Sequence, residues 1–202
     1  VGAGDHRGHS LTPTSTALLD VVALVAGYKG PVVGPVSFTL SRGEIVGLAG
    51  ANGSGKTTVL SAIIGSARIF GGTITCDRSA GVSVLRQFPV HLSEMPITVA
   101  EFLRVMGAPG ADLPEAFRPL VDVRVDRLSG GQFQLLQAWA CLGSPAALVL
   151  LDEPTNNMDP GAIAGLAELL LESTARGKGV LLVSHEATLL DKVCSRVIEV
   201  GR

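Results

Sequence analysis

The sequence predicts an α/β fold: a mainly parallel core sheet flanked by helices. Three observations predict it. Glu44 to Ala49, a glycine-rich stretch and Thr57 to Gly65 read as buried strand, loop and helix. The apolar runs Leu148 to Leu151 and Gly179 to Ser184 are each followed by a segment of helical spacing. Strands that alternate with helices pair in parallel, because a crossover helix is what returns the chain to the same end of the sheet. Composition agrees, since 202 residues with 47% hydrophobic and 17% charged side chains suffice for one sizeable core and exclude a disordered chain. With 16 Lys and Arg against 18 Asp and Glu, the net charge of −2 excludes a protein that grips nucleic acid chiefly through a basic surface.

The elements follow in order. Residues 1–16 hold Gly2, Gly4, Gly8 and Pro13 without apolar periodicity and read as a flexible tail, in which His6 and His9 make no metal site. A single domain is expected over 17–202. Leu18 to Leu40, Val-rich and punctuated by Gly27, Gly30, Pro31, Gly34 and Pro35, reads as short antiparallel strands joined by turns. In the helix that follows the glycine-rich loop, Val59, Leu60, Ile63 and Ile64 form the inward face. Gly71-Gly72 reads as the end of that unit, with one or two short strands after it up to Gln87. Residues 88–144 show helical patterns broken by Pro89, Pro96, Pro109, Pro114 and Pro119, and form a helical insert. Ile163 to Ser173 and Thr188 to Cys194 are read as further helices.

The longest purely apolar run, Ala146 to Leu151, has six residues and is too short to cross a bilayer. No basic, apolar and small-residue leader opens the chain, so a cytosolic location is expected. Cys76, Cys141 and Cys194 are unpaired in spacing and read as reduced thiols.

Gly50-Ala51-Asn52-Gly53-Ser54-Gly55-Lys56-Thr57 fits G-x-x-x-x-G-K-[ST] between the strand and the helix, and Thr58 continues it. Its glycines let successive backbone N–H groups turn toward a phosphate, and the helix N-terminus adds its dipole. Lys56 then reaches the β and γ phosphates of a nucleotide, while the Thr57 hydroxyl is placed for Mg²⁺. Leu148 to Leu151 leads directly into Asp152 and Glu153, two carboxylates at the end of a strand where open α/β sheets bind ligands. Asp152 suits Mg²⁺; Glu153 suits a general base acting on a water at the γ-phosphate. Leu128-Ser129-Gly130-Gly131-Gln132 precedes a helix, with Ser129 at the N-cap position.

Together with Lys56, Asp152 and Glu153, that Leu-Ser-Gly-Gly-Gln stretch resembles the signature of the ATP-binding cassette (ABC) ATPases. The resemblance covers about residues 18–200. It implies a P-loop NTPase of ABC type, with an N-terminal antiparallel β subdomain and a helical subdomain inserted over about 88–144. It also implies further site residues: Tyr28 as the aromatic that stacks on adenine, Gln87 in a loop that touches Mg²⁺, Asn156-Asn157-Met158-Asp159 as the D-loop with Asp159 at a dimer contact, and His185 as a second catalytic residue beside Glu153. The helix after the signature departs from the family pattern: where members usually read basic, Gln, Arg and later Ala-Arg-Ala, this chain has Phe133, Gln134, Leu135 and later Trp139, Ala140, Cys141.

The family implies that two cassettes, here a homodimer, meet head to tail around ATP and Mg²⁺. Each ATP lies between one chain's phosphate loop and the other chain's Ser129, Gly130, Gly131 and Gln132. Hydrolysis separates the chains and drives transmembrane permease subunits, which hold the cassette at the inner face of the membrane. The short stretch from Gly72 to Gln87 and the segment Met95 to Leu103 resemble ATPase subunits of metal-ion importers of the zinc and manganese type. A soluble ABC ATPase acting on ribosomes or DNA is the alternative, but its relatives carry tandem cassettes, long insertions or basic stripes that this sequence lacks. A non-hydrolysing ATP-binding regulator is disfavoured by the presence of Glu153 and His185.

Overall fold

The structure, a computed structural model, describes residues 17–86, 96–108, 113 and 115–201. The 1–16 tail, Gln87, Pro89, Met95, Pro109 and Pro114 lie outside the described residues.

Strands β1 (Ala17–Gly27) and β2 (Pro31–Ser41) pair antiparallel, and β3 (Ile45–Ala49) leads through the glycine-rich loop into α1 (Lys56–Ile63). Then come β4 (Arg68–Cys76), β5 (Val82–Leu85), α2 (Val99–Val105), α3 (Gly130–Leu142), β6 (Leu148–Asp152), α4 (Pro160–Ala175), β7 (Gly179–Val183), α5 (Ala187–Val193) and β8 (Arg196–Glu199). A parallel sheet runs β5-β6-β7-β3-β8, and an antiparallel one β2-β1-β4.

Period-two alternation in the central strands divides the interior into two cores. Val149 and Leu151 of β6 and Val180 and Leu182 of β7 face a cluster built with α2, α3, α4 and α5. Leu148, Leu150, Leu181 and Val183 face the other way, onto α1 and the antiparallel sheet. Every residue of β6 and β7 is buried, the expected pattern for parallel strands covered on both sides. One of those covers is largely the β2-β1-β4 sheet rather than helices.

Two sequence readings are corrected here, and one strand is added. The 18–40 region holds two strands of 11 residues, not several short ones, because their glycines and prolines are absorbed by register shifts along the pair. Gly71-Gly72 does not end a unit but lies within β4. There β1 shifts register between Val22 and Val25, with Ala23 at φ 47°, and Gly72 at φ 75° lies against that bulge. Strand β8 was not anticipated; it pairs with β3 and is tied by an ion pair of 2.8 Å from Arg196 to Glu44, just before β3.

A Cβ on Gly72 would stand 2.3 Å from the carbonyl oxygens of both Val22 and Ala23. Gly72→Ala is therefore expected to destabilise the protein by about 3 kcal/mol. Urea unfolding followed by the fluorescence of Trp139, the single tryptophan and a buried one, measures it. An unchanged midpoint would show that the bulge relaxes freely.

Helix α3 contains no charged residue. Phe133, Leu136, Trp139, Ala140 and Cys141 are buried, and Phe133 meets Phe102 of α2 edge-on at 5.8 Å. Apolar packing, with no charged side chain, thus supports this helix.

Candidate active site

The loop between β3 and α1 takes its shape from glycines. Gly50 has φ 143°, and a Cβ there would lie 2.3 Å from Val200 O; Gly55 has φ 103°, and a Cβ there would lie 2.5 Å from Val33 Cβ. Both positions need the left-handed region and the missing side chain. Gly55 is the N-cap of α1 and offers no capping side chain, and the first turn carries no acidic residue. The leading N–H groups of α1 and its positive dipole end are therefore left to an anion.

Lys56 is buried, and its ammonium donates to the carbonyl oxygens of Gly50 at 2.8 Å and Ala51 at 3.1 Å. Ser54 N donates to Ala51 O at 3.1 Å, closing the loop, while the buried Ser54 hydroxyl has no partner among the described residues. Thr57 Oγ1 donates to Asp152 Oδ1 at 3.2 Å and joins the loop to the end of β6. Burial pushes the Asp152 carboxyl above its ordinary range; the Thr57 hydroxyl opposes this, the neighbouring Glu153 charge adds to it, and Lys56 opposes it. A carboxylate held in so unfavourable a setting is suited to a cation.

Glu153 follows β6 at φ 49°, and its N–H donates to Val183 O at 2.9 Å. Glu153 Oε2 accepts a hydrogen bond of 2.6 Å from Nδ1 of His185, just beyond β7. An ionised carboxylate only accepts, so the ring proton sits on Nδ1.

Asn52, Gly53, Gly55, Lys56, Thr57, Thr58, Glu153 and His185 line one cavity of about 570 Å³, within the usual range for small-molecule sites. Two further residues line it: Val32, which had no place among the sequence-derived site residues, and Asn156, which opens the Asn156-Asn157-Met158-Asp159 loop that the resemblance implies.

Other expected residues stand apart from this cavity. Tyr28 is exposed at the β1–β2 turn, its hydroxyl 3.4 Å from Ser61 Oγ. Ser129 caps α3 in a reciprocal capping box: its Oγ accepts from Gln132 N at 3.2 Å, and Gln132 Oε1 accepts from Ser129 N at 2.9 Å. None of Ser129, Gly130, Gly131 and Gln132 is among the described residues that line the cavity. Asp159 caps α4, with Oδ1 accepting from Ala162 N at 2.9 Å.

Among the described residues no helix is long and apolar enough to cross a membrane. The three cysteines form no disulfide among the described residues: Cys141 is buried, and burial together with the Asp191 charge pushes the Cys194 thiol up to about 11.

A family model described as ABC transporter matches residues 33–156. The chain is 40% identical over 195 residues to the zinc import ATP-binding protein ZnuC of Roseobacter denitrificans, covering 90% of this chain and 74% of that protein. It is 36% identical over 210 residues to the Nod factor export ATP-binding protein I of Rhizobium meliloti, covering 91% of this chain and 62% of that one. A solved structure of the ATP-binding subunit of an ABC transporter superposes with a TM-score of 0.73 at 28% identity, covering 91% of this chain and 86% of the other.

Proposed function

The chain belongs to the ABC transporter family as an ATP-binding subunit and an ATPase, and from that premise we propose that it forms a head-to-tail homodimer around two MgATP and so powers a membrane permease. The observation that carries this reading is the division of the site. Lys56, Thr57, Glu153 and His185 face one cavity, while the glycine-opened N-terminus of α3 at Ser129 does not line it. A second copy supplies the missing wall.

In this mechanism the phosphates of ATP enter the loop, and Lys56 exchanges its contacts with the Gly50 and Ala51 carbonyls for charge-assisted bonds to the β and γ phosphates. Thr57 and Asp152 fit Mg²⁺, because they present only oxygen donors. Among the described residues no cluster of three or more His, Cys, Asp or Glu could hold a metal ion alone, which suits an ion that completes its shell with phosphate oxygens and water. Gln87 is proposed as a further contact. When bound, Mg²⁺ neutralises phosphate charge.

Glu153 accepts a proton from a water whose oxygen bonds to the γ-phosphorus. The bond from that phosphorus to the bridging oxygen breaks with its electrons going to ADP, and inorganic phosphate forms. His185 holds the carboxylate in place. Tyr28 stacks on adenine, and Asp159 contacts the second cassette. Residues 17–202 form the working unit, with the helical subdomain at about 88–144 and the tail over 1–16 outside it.

The permease places the subunit at the cytoplasmic face of the membrane, and no direct contact with nucleic acid is needed. Import of a divalent metal ion is the cargo reading supported by the zinc import relatives, at 40% and 36% identity.

Mixing two inactive variants tests the shared site. Lys56→Ala and Ser129→Arg each spoil both sites of a homodimer, but a mixed dimer contains one site with neither lesion. ATP-dependent dimer formation, followed by size-exclusion chromatography as the two are titrated together, is expected to reappear. No dimer at any ratio, with both variants folded, would overturn the shared homodimeric site.

A further inference from the structure

We propose that Arg86 sets how tightly the site holds its divalent cation: its guanidinium is a resident positive charge near Asp152 that weakens the grip on Mg²⁺. This rests on the reading of Thr57 and Asp152 as the Mg²⁺ contacts. Leu85 of β5 pairs with Leu151 of β6, so Arg86 and Asp152 come next on two adjacent parallel strands. Val84 and Leu150, two positions earlier, both pack toward α1, and period-two alternation turns Arg86 and Asp152 to that same side. There they line a cavity of about 230 Å³ together with Thr57, which also lines the phosphate cavity.

The guanidinium is anchored short of the carboxylate. Its Nη2 donates to Ser66 Oγ at 2.9 Å, just past the end of α1, which lays the side chain along the helix. From that anchor it acts on Asp152 through space: burial raises the carboxyl, and the charges of Lys56 and Arg86 oppose this. Without nucleotide, Arg86 therefore offsets part of the carboxylate's charge. With Mg²⁺ bound, the same guanidinium repels the ion, twice as strongly as it would a monovalent one at that place. Arg86 is exposed, so water and salt reduce the effect without abolishing it. A site that surrenders MgADP in every cycle gains from a hold that is not too tight.

The quantity to measure is the ratio of Kd for ADP in EDTA to Kd for ADP in Mg²⁺, by titration calorimetry on the full chain. ADP avoids turnover, so the ratio reads binding alone. Arg86→Gln is expected to raise the ratio about 3- to 10-fold at low salt, and the difference from the parent shrinks at about 0.5 M KCl. Arg86→Lys, which keeps the charge, stays within about twofold of the parent. Ser66→Ala releases the guanidinium toward Asp152 and lowers the ratio.

A ratio for Arg86→Gln within about twofold of the parent overturns the proposal. So does an equal change in Arg86→Gln and Arg86→Lys, a change that salt leaves untouched, or a rise in Ser66→Ala. Asp152→Asn, measured alongside, is expected to lower the ratio sharply. If it does so while Arg86→Gln matches the parent, only this inference falls. If Asp152→Asn keeps the parental ratio, the reading of the Mg²⁺ contacts falls first and the proposal with it.

Discussion

Replacing Glu153 by Gln is expected to leave MgATP bound while slowing its turnover about 10²- to 10⁴-fold, the usual contribution of a general base. The amide preserves the size of the side chain and the turn at φ 49°. It can still hydrogen-bond to His185, but it cannot take a proton from water. Because hydrolysis is what dissolves the ATP sandwich, the variant should also accumulate as an ATP-bound dimer on size-exclusion chromatography. Phosphate release at the parental rate would move the base elsewhere, and His185→Ala would be the next variant to assay.

Lys56→Ala is expected to weaken MgATP binding by about 2–5 kcal/mol, on the order of 30-fold or more in Kd. Without nucleotide, the ammonium already holds the Gly50 and Ala51 carbonyls and so prepares the loop for phosphate. Its removal deletes the cation and also leaves two carbonyls of the loop without their donor. Lys56→Arg is not expected to rescue binding, since a planar fork does not match the compact head that this loop encloses. Titration calorimetry with MgATP measures the loss, and an unaltered Kd would remove Lys56 from the phosphate site.

How much of this was legible in the sequence depended on whether a feature is local. Strands β6 and β7 could be read because burial on both faces leaves unbroken apolar runs. The phosphate loop could be read because its chemistry is contiguous. Strand β4 was misread at Gly71-Gly72: glycine there answers a bulge in β1, about fifty residues earlier in the chain. Strand β8, with Arg196, Val197 and Glu199 exposed, shows no alternating pattern and is specified by its pairing with β3. In the site, the bond between Glu153 and His185 joins two strand ends that only the sheet brings together, so the resemblance to a family was needed to name both. Val32 enters the cavity from β2, a strand that carries none of the motif residues.

The contact between Thr57 and Asp152 spans 95 residues of chain. It joins the N-terminus of α1 to the last residue of β6, and β7 separates β6 from β3 in the sheet although β7 comes last of the three in sequence. The ends of these strands reach their places only after distant segments have closed onto one another, a slow and entropically costly event. A chain synthesised only as far as Thr58 has the whole phosphate loop yet none of the carboxylates that complete the site. Competence to bind MgATP therefore arrives late in folding, when β7 has inserted between β3 and β6. Nucleotide, binding the finished state alone, draws the folding equilibrium toward it.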